Sequence, residues 1–587
     1  MHKNLLEMLD YTAYHYPNRK AFIYLKNGDF ECESCTYHEL RLRSQKLAAY
    51  FQFLNLAGER IMILLPNGID YIIAFFGCLQ AGALPVPAFP PSKSRNGQRV
   101  TAIYENAKPA LLITQSPHDS MKLPEKMRSA CSIQLADILQ RDDEFPYQAQ
   151  TVPIDHIAFL QYTSGSTNTP KGVMVSHRNL LHNLEIMKKR FYHSNDTVMV
   201  SWLPMYHDMG LIGNVLQNVY NGGSCYLMSP MDFIQKPIRW LRTITKYRAT
   251  FSGAPDFAYR LCVQKITDED KQELNLSPWA IAFNGSEPVR AETIREFCDS
   301  FRVCGFRDEA LLPSYGLAEA TLCVTVAAKE AQKKLLYLDD KALQQNNAAP
   351  VKARGDAARA QVGCGSIFTD HQIKIVDPST QLECGAGEIG EIWIKGESVA
   401  QGYWDAPVES EATFAAYLLD SEEGPFLRTG DLGFVHGGEL YITGRLKDLI
   451  IIRGQNYYPQ DIEEIAASCH PDINGSSLAA FSIEVQGGEE LVVVCEMNRE
   501  FKHAAQRQQL DWEACCSGIA HRIREAIAEQ LQLYAYDVKL VKPLNLPKTT
   551  SNKIQRRKCK EMYLNGSLFV WGGLNGQGTG QALQGHM

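Results

Sequence analysis

The residues best suited to chemistry are the hydroxyl side chains, glycines and single lysine of one stretch, Tyr162-Thr-Ser-Gly-Ser-Thr-Asn-Thr-Pro-Lys-Gly172. It lies between two apolar segments, 157–160 and 173–175, that are typical of buried strands. Such a loop can direct backbone N–H groups and hydroxyls toward a polyphosphate, and Lys171 adds positive charge. The P-loop of nucleotide-binding proteins is excluded because it needs Gly-Lys-Ser/Thr at the start of a helix. A solvated turn of the same composition is the alternative.

Two further positions suit the same chemistry. His207 follows an apolar segment that begins at Trp202, and a histidine beside the apolar wall of a pocket can orient a carboxylate. Asp431 lies in a predicted turn, where its carboxylate can accept hydrogen bonds from two hydroxyls, as in a ribose diol. Each has a plainer alternative, because large apolar residues usually belong to the core and charged turn residues usually face solvent.

The composition is that of an ordinary globular protein. The 587 residues are 45% hydrophobic and 21% charged, with a net charge of -7, and the length predicts more than one domain. An acidic chain gives no support for nucleic-acid binding. Sixteen cysteines without a framework spacing, and no apolar secretory segment at the start, favour reduced thiols in a cytoplasmic protein. The pair Cys32 and Cys35 is therefore expected to be incidental, and the longest apolar run, 71–79, is too short to span a membrane.

Strands that alternate with helices predict an α/β fold with parallel sheets over the first half of the chain. Strands are expected at 21–25, 60–65 and 110–114, with a buried helix at 68–82. Ser176 is expected to cap the helix that follows the loop. The segment 311–321 is expected to be the end of a strand that enters a helix.

Farther along, apolar and polar residues alternate at 372–376 and 388–395 and predict an antiparallel pair in a small β-barrel-like subdomain. We therefore expect a large N-terminal domain, 1–446, made of two α/β subdomains and this barrel-like one. It is expected to be hinged to a small α+β C-terminal domain, 447–587, whose Gly-, Asn- and Gln-rich end predicts a flexible tail from about 565. Two strands and a long helix of the small domain are expected at 479–483, 490–495 and 511–531.

The order of these motifs resembles one superfamily. The pattern Thr-Ser-Gly-Ser-Thr-x-x-Pro-Lys-Gly from Thr163 resembles the phosphate loop of the adenylate-forming enzymes, which include acyl-CoA synthetases, peptide-synthetase adenylation domains and luciferases. The segments that begin at Ile281, Leu311, Phe426 and Leu440 resemble further motifs of that family, so the resemblance covers essentially the whole chain. It implies ATP and Mg²⁺ as cofactors, and attack of a carboxylate on the α-phosphate with release of pyrophosphate.

The resemblance also implies roles for single residues. Tyr315 would stack on adenine, because an aromatic face suits a base, and Glu319 would hold Mg²⁺ together with Thr163. Lys447 would be the hinge, and Lys553 would bridge the carboxylate and the α-phosphate. The other nucleotide-binding residues would be Thr163, Ser164, Gly165, Ser166, Thr167, Lys171, Gly285, Ser286, Glu287, Ser314, Gly316, Leu317, Ala318, Asp431 and Arg445. The acyl pocket beside a catalytic His207 would be lined by Trp202, Met205, Tyr206, Met209 and Ile212.

Two positions depart from the family pattern. Many relatives have Thr, whose hydroxyl meets the α-phosphate, where this chain has Ala318. The usual Gly before the catalytic lysine is Asn552 here, and Asn also tolerates left-handed backbone angles.

Within the superfamily, segments 202–212, 284–288 and 454–463 resemble the fatty acyl-AMP ligases, which pass the acyl group to an acyl carrier protein. These enzymes carry an insertion that hinders the use of CoA, and the polar stretch 330–361 is where we expect it. The resemblance thus implies ATP-dependent activation of a medium- or long-chain fatty acid to acyl-AMP for transfer to an acyl carrier protein. An acyl-CoA synthetase and a non-catalytic nucleotide-binding module are the alternatives.

Overall fold

The chain divides into two units that are not contiguous in sequence. The first consists of Met1–Leu336 and Ala360–Ile442, and the second of Tyr337–Arg359 and Thr443–Met587. The division therefore follows Ile442, and most of the expected insertion belongs with the C-terminal residues. The computed structural model describes residues 2–90, 97–141, 145–163, 170–328, 335–352, 358–367, 371–486, 488–499, 501, 511–549 and 553–571.

A large mixed sheet organises the first unit. Its middle strands are short, buried and mostly parallel, as expected when helices cover both faces. The strands predicted as barrel-like form an antiparallel run at one end of the same sheet. Across the sheet the order is His371–Val376, Gly390–Gly396, Leu427–His436, Glu439–Arg445, Ala358–Ile367, Cys323–Val326, Leu311–Gly316, Ile281–Asn284, Phe251–Ala254, Val198–Ser201, Ser224–Leu227, Lys20–Lys26 and Phe30–Thr36.

Two smaller sheets complete the strands of the first unit. A parallel sheet has the order Leu84–Pro87, Arg60–Ile63, Leu111–Thr114 and Ser132–Gln134. An antiparallel hairpin pairs Ile157–Tyr162 with Gly172–Ser176 and encloses the predicted phosphate loop. The strands predicted on either side of that loop are confirmed.

The helices of the first unit surround these sheets. Ile69–Gln80 is the predicted buried helix, and every residue from Tyr71 onward in it is buried. Ser176 caps His177–Arg190 as predicted, because its side chain accepts a hydrogen bond from the Asn179 N–H. The remaining helices are Leu5–His15, Tyr37–Phe53, Gly97–Ala107, Pro117–Met121, Leu135–Leu139, Asp208–Gly210, Leu211–Leu216 (a π-helix), Gln217–Asn221, Pro230–Gln235, Ile238–Lys246, Asp256–Lys265, Asp268–Lys271, Ala291–Phe301 and Pro407–Phe414.

One predicted helix is absent. The sequence after Leu311–Gly316 predicts a helix, but the chain makes only the 3₁₀ turn Ala318–Ala320 and returns antiparallel as Cys323–Val326. The backbone passes so close at Gly316 that a Cβ atom there would lie 1.7 Å from the Leu322 carbonyl oxygen. This tight reversal leaves no room for a regular helix.

The second unit has its own sheet and core. Ile473–Val485 pairs antiparallel with Gly488–Met497, which pairs parallel with Ala535–Val541, and the strands and long helix predicted here are confirmed. Short strands Ile450–Ile452 and Gln455–Tyr457 form a separate hairpin. The helices are Asp340–Leu343, Pro459–Ser468, Trp512–Leu531 and Arg556–Leu564.

The segment Tyr337–Arg359 is held to the second unit by polar contacts. The backbone N–H and side-chain amide of Asn456 both donate to the Gln344 carbonyl, at 3.0 and 3.2 Å. Arg359 forms ion pairs with Asp340, at 3.1 Å, and with Asp461 in the first turn of Pro459–Ser468. A stretch that its composition marks as a loop is therefore an integral part of this unit.

The expectation of a flexible tail from about 565 is wrong for residues 565–571. Val570 forms a bridge with Val541 on the edge of the sheet, and the Trp571 N–H donates to the Leu540 carbonyl at 2.7 Å. These apolar residues pair with an open strand edge, which satisfies backbone groups on both sides. Residues 572–587 lie outside the described part of the chain.

The structure bears on the state of the cysteines and on the presence of membrane-spanning helices. All sixteen cysteines lie in described positions and are free thiols. Within the described ranges, none of the helices combines the length and apolar character that a membrane crossing requires.

Candidate functional site

Neighbouring parallel strands bring two of the predicted segments together. Ile281–Asn284 and Leu311–Gly316 lie side by side, so the residues at their carboxyl ends meet at one edge of the sheet. The Ser314 hydroxyl donates to the Asn284 carbonyl at 3.2 Å. A Cβ atom on Gly285 would lie 2.7 Å from the Ser314 Oγ, so this contact requires glycine.

Two of the residues predicted to bind nucleotide, Glu287 and Ser286, have structural roles in these segments. Glu287 accepts a hydrogen bond from the Phe257 N–H at 2.6 Å, at the start of helix Asp256–Lys265. A carboxylate there complements the helix dipole, which is a structural use of a residue predicted to bind nucleotide. Ser286 has a positive φ of 71° and forms the turn between the strand and Glu287. Leu317 and Ala318 lead into the 3₁₀ turn, and Ala318 is buried.

Tyr315 and Asp431 form a direct contact across 116 positions of sequence. The Tyr315 hydroxyl donates to Asp431 Oδ2 at 2.8 Å, and each residue is only 8% exposed. The residues expected to hold adenine and ribose are therefore adjacent.

Glu319 is the centre of a second contact group. The Tyr403 hydroxyl donates to Glu319 Oε1 at 2.9 Å, and Lys171 Nζ lies 4.7 Å from the centre of the Tyr403 ring. Burial, followed by the negative charge of Glu319, raises the pKa of Tyr403, so its hydroxyl stays a donor. One tyrosine thus joins the expected metal ligand to the expected phosphate-binding lysine.

Backbone hydrogen bonds fix the position of this group. The Trp404 N–H donates to the Gly172 carbonyl at 2.7 Å, and the Met174 N–H donates to the Gly402 carbonyl at 2.9 Å. The Ala400 N–H donates to the Glu319 carbonyl at 2.9 Å. Segment 400–404 therefore connects the strand after the phosphate loop to the turn that carries Glu319.

The start of the phosphate loop is held from two sides. The Thr163 N–H donates to the Lys171 carbonyl at 3.1 Å, which closes the loop, and the Thr163 carbonyl accepts from Arg99 Nη2 at 2.6 Å. Burial lowers the pKa of Arg99 to about 10, and its guanidinium lies 5.4 Å from the centre of the Phe89 ring. The predicted residues Ser164, Gly165, Ser166 and Thr167 lie outside the described part of the chain.

The segment around His207 is attached to the phosphate-loop hairpin. The side-chain amide of Gln161 donates to the Tyr206 carbonyl at 3.0 Å, and the rings of Tyr206 and His207 are 5.0 Å apart. Asn67 holds the same segment, since its side chain accepts from the Met205 N–H at 3.0 Å and donates to the Leu203 carbonyl at 2.8 Å.

The apolar residues predicted to line an acyl pocket fall into two groups. Trp202 stacks on Phe233 with ring centres 4.0 Å apart, and it belongs with Met205 and Ile212 to the buried core. Tyr206 and Met209 keep part of their surface exposed, as does His207. Burial raises the pKa of Tyr206 to about 12.

The remaining predicted residues belong to the second unit. Arg445 ends the strand Glu439–Arg445, and Lys447 lies in the 3₁₀ turn Leu446–Asp448; both are exposed. The Lys553 N–H donates to the Thr549 hydroxyl at 3.0 Å, and the Thr549 N–H donates to the Lys553 carbonyl at 2.7 Å. These bonds close a turn that sets Lys553 just before helix Arg556–Leu564.

Arg556 anchors that turn to the residues after the expected hinge. Its Nε and Nη2 donate to the two Glu463 oxygens at 2.6 and 2.7 Å, and Nη1 donates to Asp448 at 3.2 Å. The ion pairs of Arg556 therefore join the helix that follows Lys553 to Asp448, the residue directly after Lys447, within the second unit.

The sequence profile of the AMP-binding enzyme family matches residues 9–404. The chain belongs to the AMP-binding enzyme family. A second profile, described as Disco-interacting protein 2-like, AMP domain, matches residues 447–571 of this AMP-binding enzyme.

Individual relatives of this AMP-binding enzyme match over nearly the full length. It is 40% identical over 579 residues to a medium-chain-fatty-acid–[acyl-carrier-protein] ligase, JamA, of Moorena producens, covering 97% of this chain and 96% of that one. It is 36% identical to a long-chain-fatty-acid–AMP ligase, FadD26, of Mycobacterium marinum, with coverage of 96% and 97%. A solved fatty acyl-adenylate ligase from L. pneumophila, in complex with acyl adenylate and pyrophosphate, superposes with a TM-score of 0.74 at 38% identity and covers 97% of each chain. The predicted fold class and superfamily are thereby confirmed.

Sequence reasoning missed several residues that position the site of this AMP-binding enzyme. Tyr403, Arg99 and Asn67 contact predicted site residues but lie 84, 64 and 138 positions from their partners. The only local signal was an aromatic residue, Tyr403, directly after glycine in the segment 400–404. An isolated aromatic or arginine gives no information about its partner before the sheet register is known.

Proposed function

We propose that this AMP-binding enzyme activates a medium- or long-chain fatty acid with ATP, releases pyrophosphate, and passes the acyl group to an acyl carrier protein. The hydrogen bond from Tyr315 to Asp431 carries the proposal, because it joins an aromatic ring and a carboxylate in the pairing that a nucleoside needs. Two relatives that match over nearly the full chain, an acyl-carrier-protein ligase and a fatty-acid–AMP ligase, support the same substrates.

The nucleotide would be held by groups of the first unit. The Tyr315 ring would stack on adenine, and Asp431 would accept hydrogen bonds from the ribose hydroxyls. Gly316, directly after Tyr315, would lie beside the base, and its missing side chain is required by the close approach of the Leu322 carbonyl. Lys171 and the hydroxyls of the phosphate loop would neutralise the phosphates.

Glu319 is suited to hold the Mg²⁺ that accompanies ATP. It is a carboxylate oriented by the Tyr403 hydroxyl, and hard oxygen ligands are those that Mg²⁺ takes. Among the described residues, no group of three or more Asp, Glu, His or Cys side chains is placed so that it could hold a metal ion by itself. A magnesium ion held by one carboxylate with phosphate and water oxygens fits this arrangement, and it would supply charge neutralisation at the phosphates.

The reaction brings two anions together, so the residues act mainly by positioning and by neutralising charge. His207 would orient the carboxylate of the fatty acid beside Tyr206 and Met209. Lys553 would bridge that carboxylate and the α-phosphate as negative charge develops. One such contact contributes about 10²–10³ in rate.

A carrier protein rather than free CoA is favoured by the path of the chain. The backbone passes between the two units after Leu336, after Arg359 and after Ile442, whereas a simple hinge needs one connection. A rotation of the second unit between half-reactions must therefore either carry Tyr337–Arg359 along or detach it. A carrier protein adds docking contacts that compensate for this restriction, and free CoA offers few.

The test is incubation of the enzyme with ATP, Mg²⁺ and saturated fatty acids of increasing length, with products identified by mass. We expect acyl-AMP and pyrophosphate, persistence of acyl-AMP when CoA is added, and its consumption by a carrier protein bearing phosphopantetheine. Lys553→Ala serves as the inactive control. Formation of acyl-CoA as fast as acyl-AMP would instead identify an acyl-CoA synthetase, and nucleotide binding without pyrophosphate release would identify a non-catalytic module.

A further inference from the structure

The loop that carries Asp431 interrupts the sheet in an unusual way. Glu391 pairs with Leu432, and Trp393 pairs with Arg428, so three residues on one strand, 429–431, oppose the single residue Ile392 on the other. Extra residues in a strand lose their ladder partners and re-aim the side chains they carry. Gly430 adopts a left-handed φ of 70° within this bulge, a conformation that favours glycine.

Side chains replace the missing ladder hydrogen bonds. The Thr429 hydroxyl donates to the Ile392 carbonyl at 2.7 Å and accepts from the Asp431 N–H at 3.0 Å. The Gly430 N–H donates to Glu391 Oε1 at 3.0 Å. The bulge is thus fastened through its two residues immediately before Asp431.

Glu391 is an uncommon choice for that fastening, because it is a carboxylate only 2% exposed. Its other oxygen, Oε2, accepts from Arg428 Nε and Nη2 at 2.9 and 2.8 Å and from Trp393 Nε1 at 3.0 Å. A buried charge with one missing partner is strongly destabilising. The four donors compensate the charge of Glu391 and also fix the position of both its oxygens.

We propose that Glu391 is a positioning residue for nucleotide binding, which holds the Gly430 amide so that Asp431 faces the ribose hydroxyls. Glu391 itself does not touch the nucleotide. It holds the residue before Asp431 through the Gly430 N–H, while the Tyr315 hydroxyl donates to Asp431 Oδ2 itself. The inference rests on the ribose-binding role of Asp431 in the proposed function.

Two substitutions separate the contacts of Glu391. Glu391→Gln keeps the shape of the side chain but replaces one acceptor oxygen with an NH₂ donor. That donor must face either the Gly430 N–H or the donors of Arg428 and Trp393, so one of these contacts is lost. Glu391→Asp keeps the charge for Arg428 but is one methylene too short to reach Gly430 as well, and it provides a milder variant if the glutamine variant does not fold. Glu383→Gln is the matched control, because Glu383 pairs with Lys374 at 2.7 Å in the same antiparallel region and does not contact the bulge.

The measurement is the ratio of kcat/KM for ATP to kcat/KM for 2′,3′-dideoxy-ATP in acyl-AMP formation. Hydrogen bonds to a charged group contribute enough that the unaltered enzyme should prefer ATP by about tenfold or more. Asp431→Ala should abolish the preference, and both Glu391 variants should reduce it to within about threefold of that value. A merely structural role would lower both rates together and leave the ratio unchanged.

The results distinguish the ribose-binding role of Asp431 from the positioning role of Glu391. If Asp431→Ala loses the preference and both Glu391 variants keep it, the positioning role is refuted and the ribose role stands. If Asp431→Ala keeps the preference, the ribose role is wrong and the positioning role is refuted with it. The expected result is a preference lost in Asp431→Ala, reduced nearly as far in both Glu391 variants, and retained in Glu383→Gln.

Discussion

Replacing Arg359 with alanine tests whether Tyr337–Arg359 controls the choice of acyl acceptor, as proposed. Arg359 joins Asp340 in this segment to Asp461 in helix Pro459–Ser468. The substitution removes both ion pairs at once, and it leaves only the contacts of Gln344 with Asn456 among the polar contacts described above. We expect the segment to detach more readily and the enzyme to make more acyl-CoA without faster adenylation.

The burial of the three side chains sets the magnitude. Arg359, Asp340 and Asp461 are 18%, 19% and 14% exposed, between surface pairs, which contribute about 0–1 kcal/mol, and fully buried pairs, whose disruption costs about 3–5 kcal/mol. An effect of about 1–3 kcal/mol follows. It corresponds to roughly a 5- to 150-fold increase in the detached population, since about 1.4 kcal/mol is a factor of ten.

The pH dependence supplies a second signature. Burial raises the pKa of Asp340, while Arg359 opposes the shift, so the variant should have a still higher pKa at this carboxyl. A raised pKa in the attached state means that protonation of Asp340 stabilises attachment; this contribution is fully present below the pKa of the detached carboxyl and is lost as the pH rises through the raised pKa. Detachment in Arg359→Ala should therefore diminish as the pH is lowered from 7 toward the pKa of Asp340.

The assay combines product analysis with hydrogen exchange. The ratio of acyl-CoA to acyl-AMP is measured by mass, and exchange of the Asn456 amide reports attachment because that amide donates to the Gln344 carbonyl. Arg302→Ala is the matched control, since Arg302 also pairs with two aspartates but is 58% exposed. Faster exchange at Asn456 with an unchanged product ratio would refute the gating role of the segment. Unchanged exchange would refute the magnitude assigned to Arg359.

Three further outcomes are expected. Lys553→Ala should lower acyl-AMP formation by at least about 10²–10³ while a nucleotide titration still shows ATP binding; adenylation at the unaltered rate would contradict its assignment. From octanoate to dodecanoate, kcat/KM should rise about fourfold per methylene until the pocket ends, because each buried methylene contributes about 0.8 kcal/mol; a preference for acetate or an amino acid would exclude a fatty acyl pocket. Tyr403→Phe should raise the Mg²⁺ concentration for half-maximal rate roughly three- to tenfold through loss of its bond to Glu319, and Tyr220→Phe, which loses a comparable 2.7 Å bond to Glu185, should not change it.

Features that depend on neighbouring residues were predictable from the sequence by itself. The strands around the phosphate loop and the capped helix after Ser176 are examples, because alternation, turn residues and caps act over a few positions. The order of motifs also sufficed for the superfamily. The predicted helix after Gly316 failed because the backbone contact with Leu322, rather than local propensity, sets the path there.

The contacts that assemble the site were decided by the tertiary structure. Tyr315 meets Asp431, Tyr403 meets Glu319, and Glu391 holds Gly430, although each pair is separated by 39 to 116 positions. Such partners follow from strand order and register, which no local pattern encodes. The same holds for Tyr337–Arg359. Its polar composition is that of a solvated loop, and it belongs to the second unit because Arg359 and Gln344 find partners on elements that begin about 100 residues later.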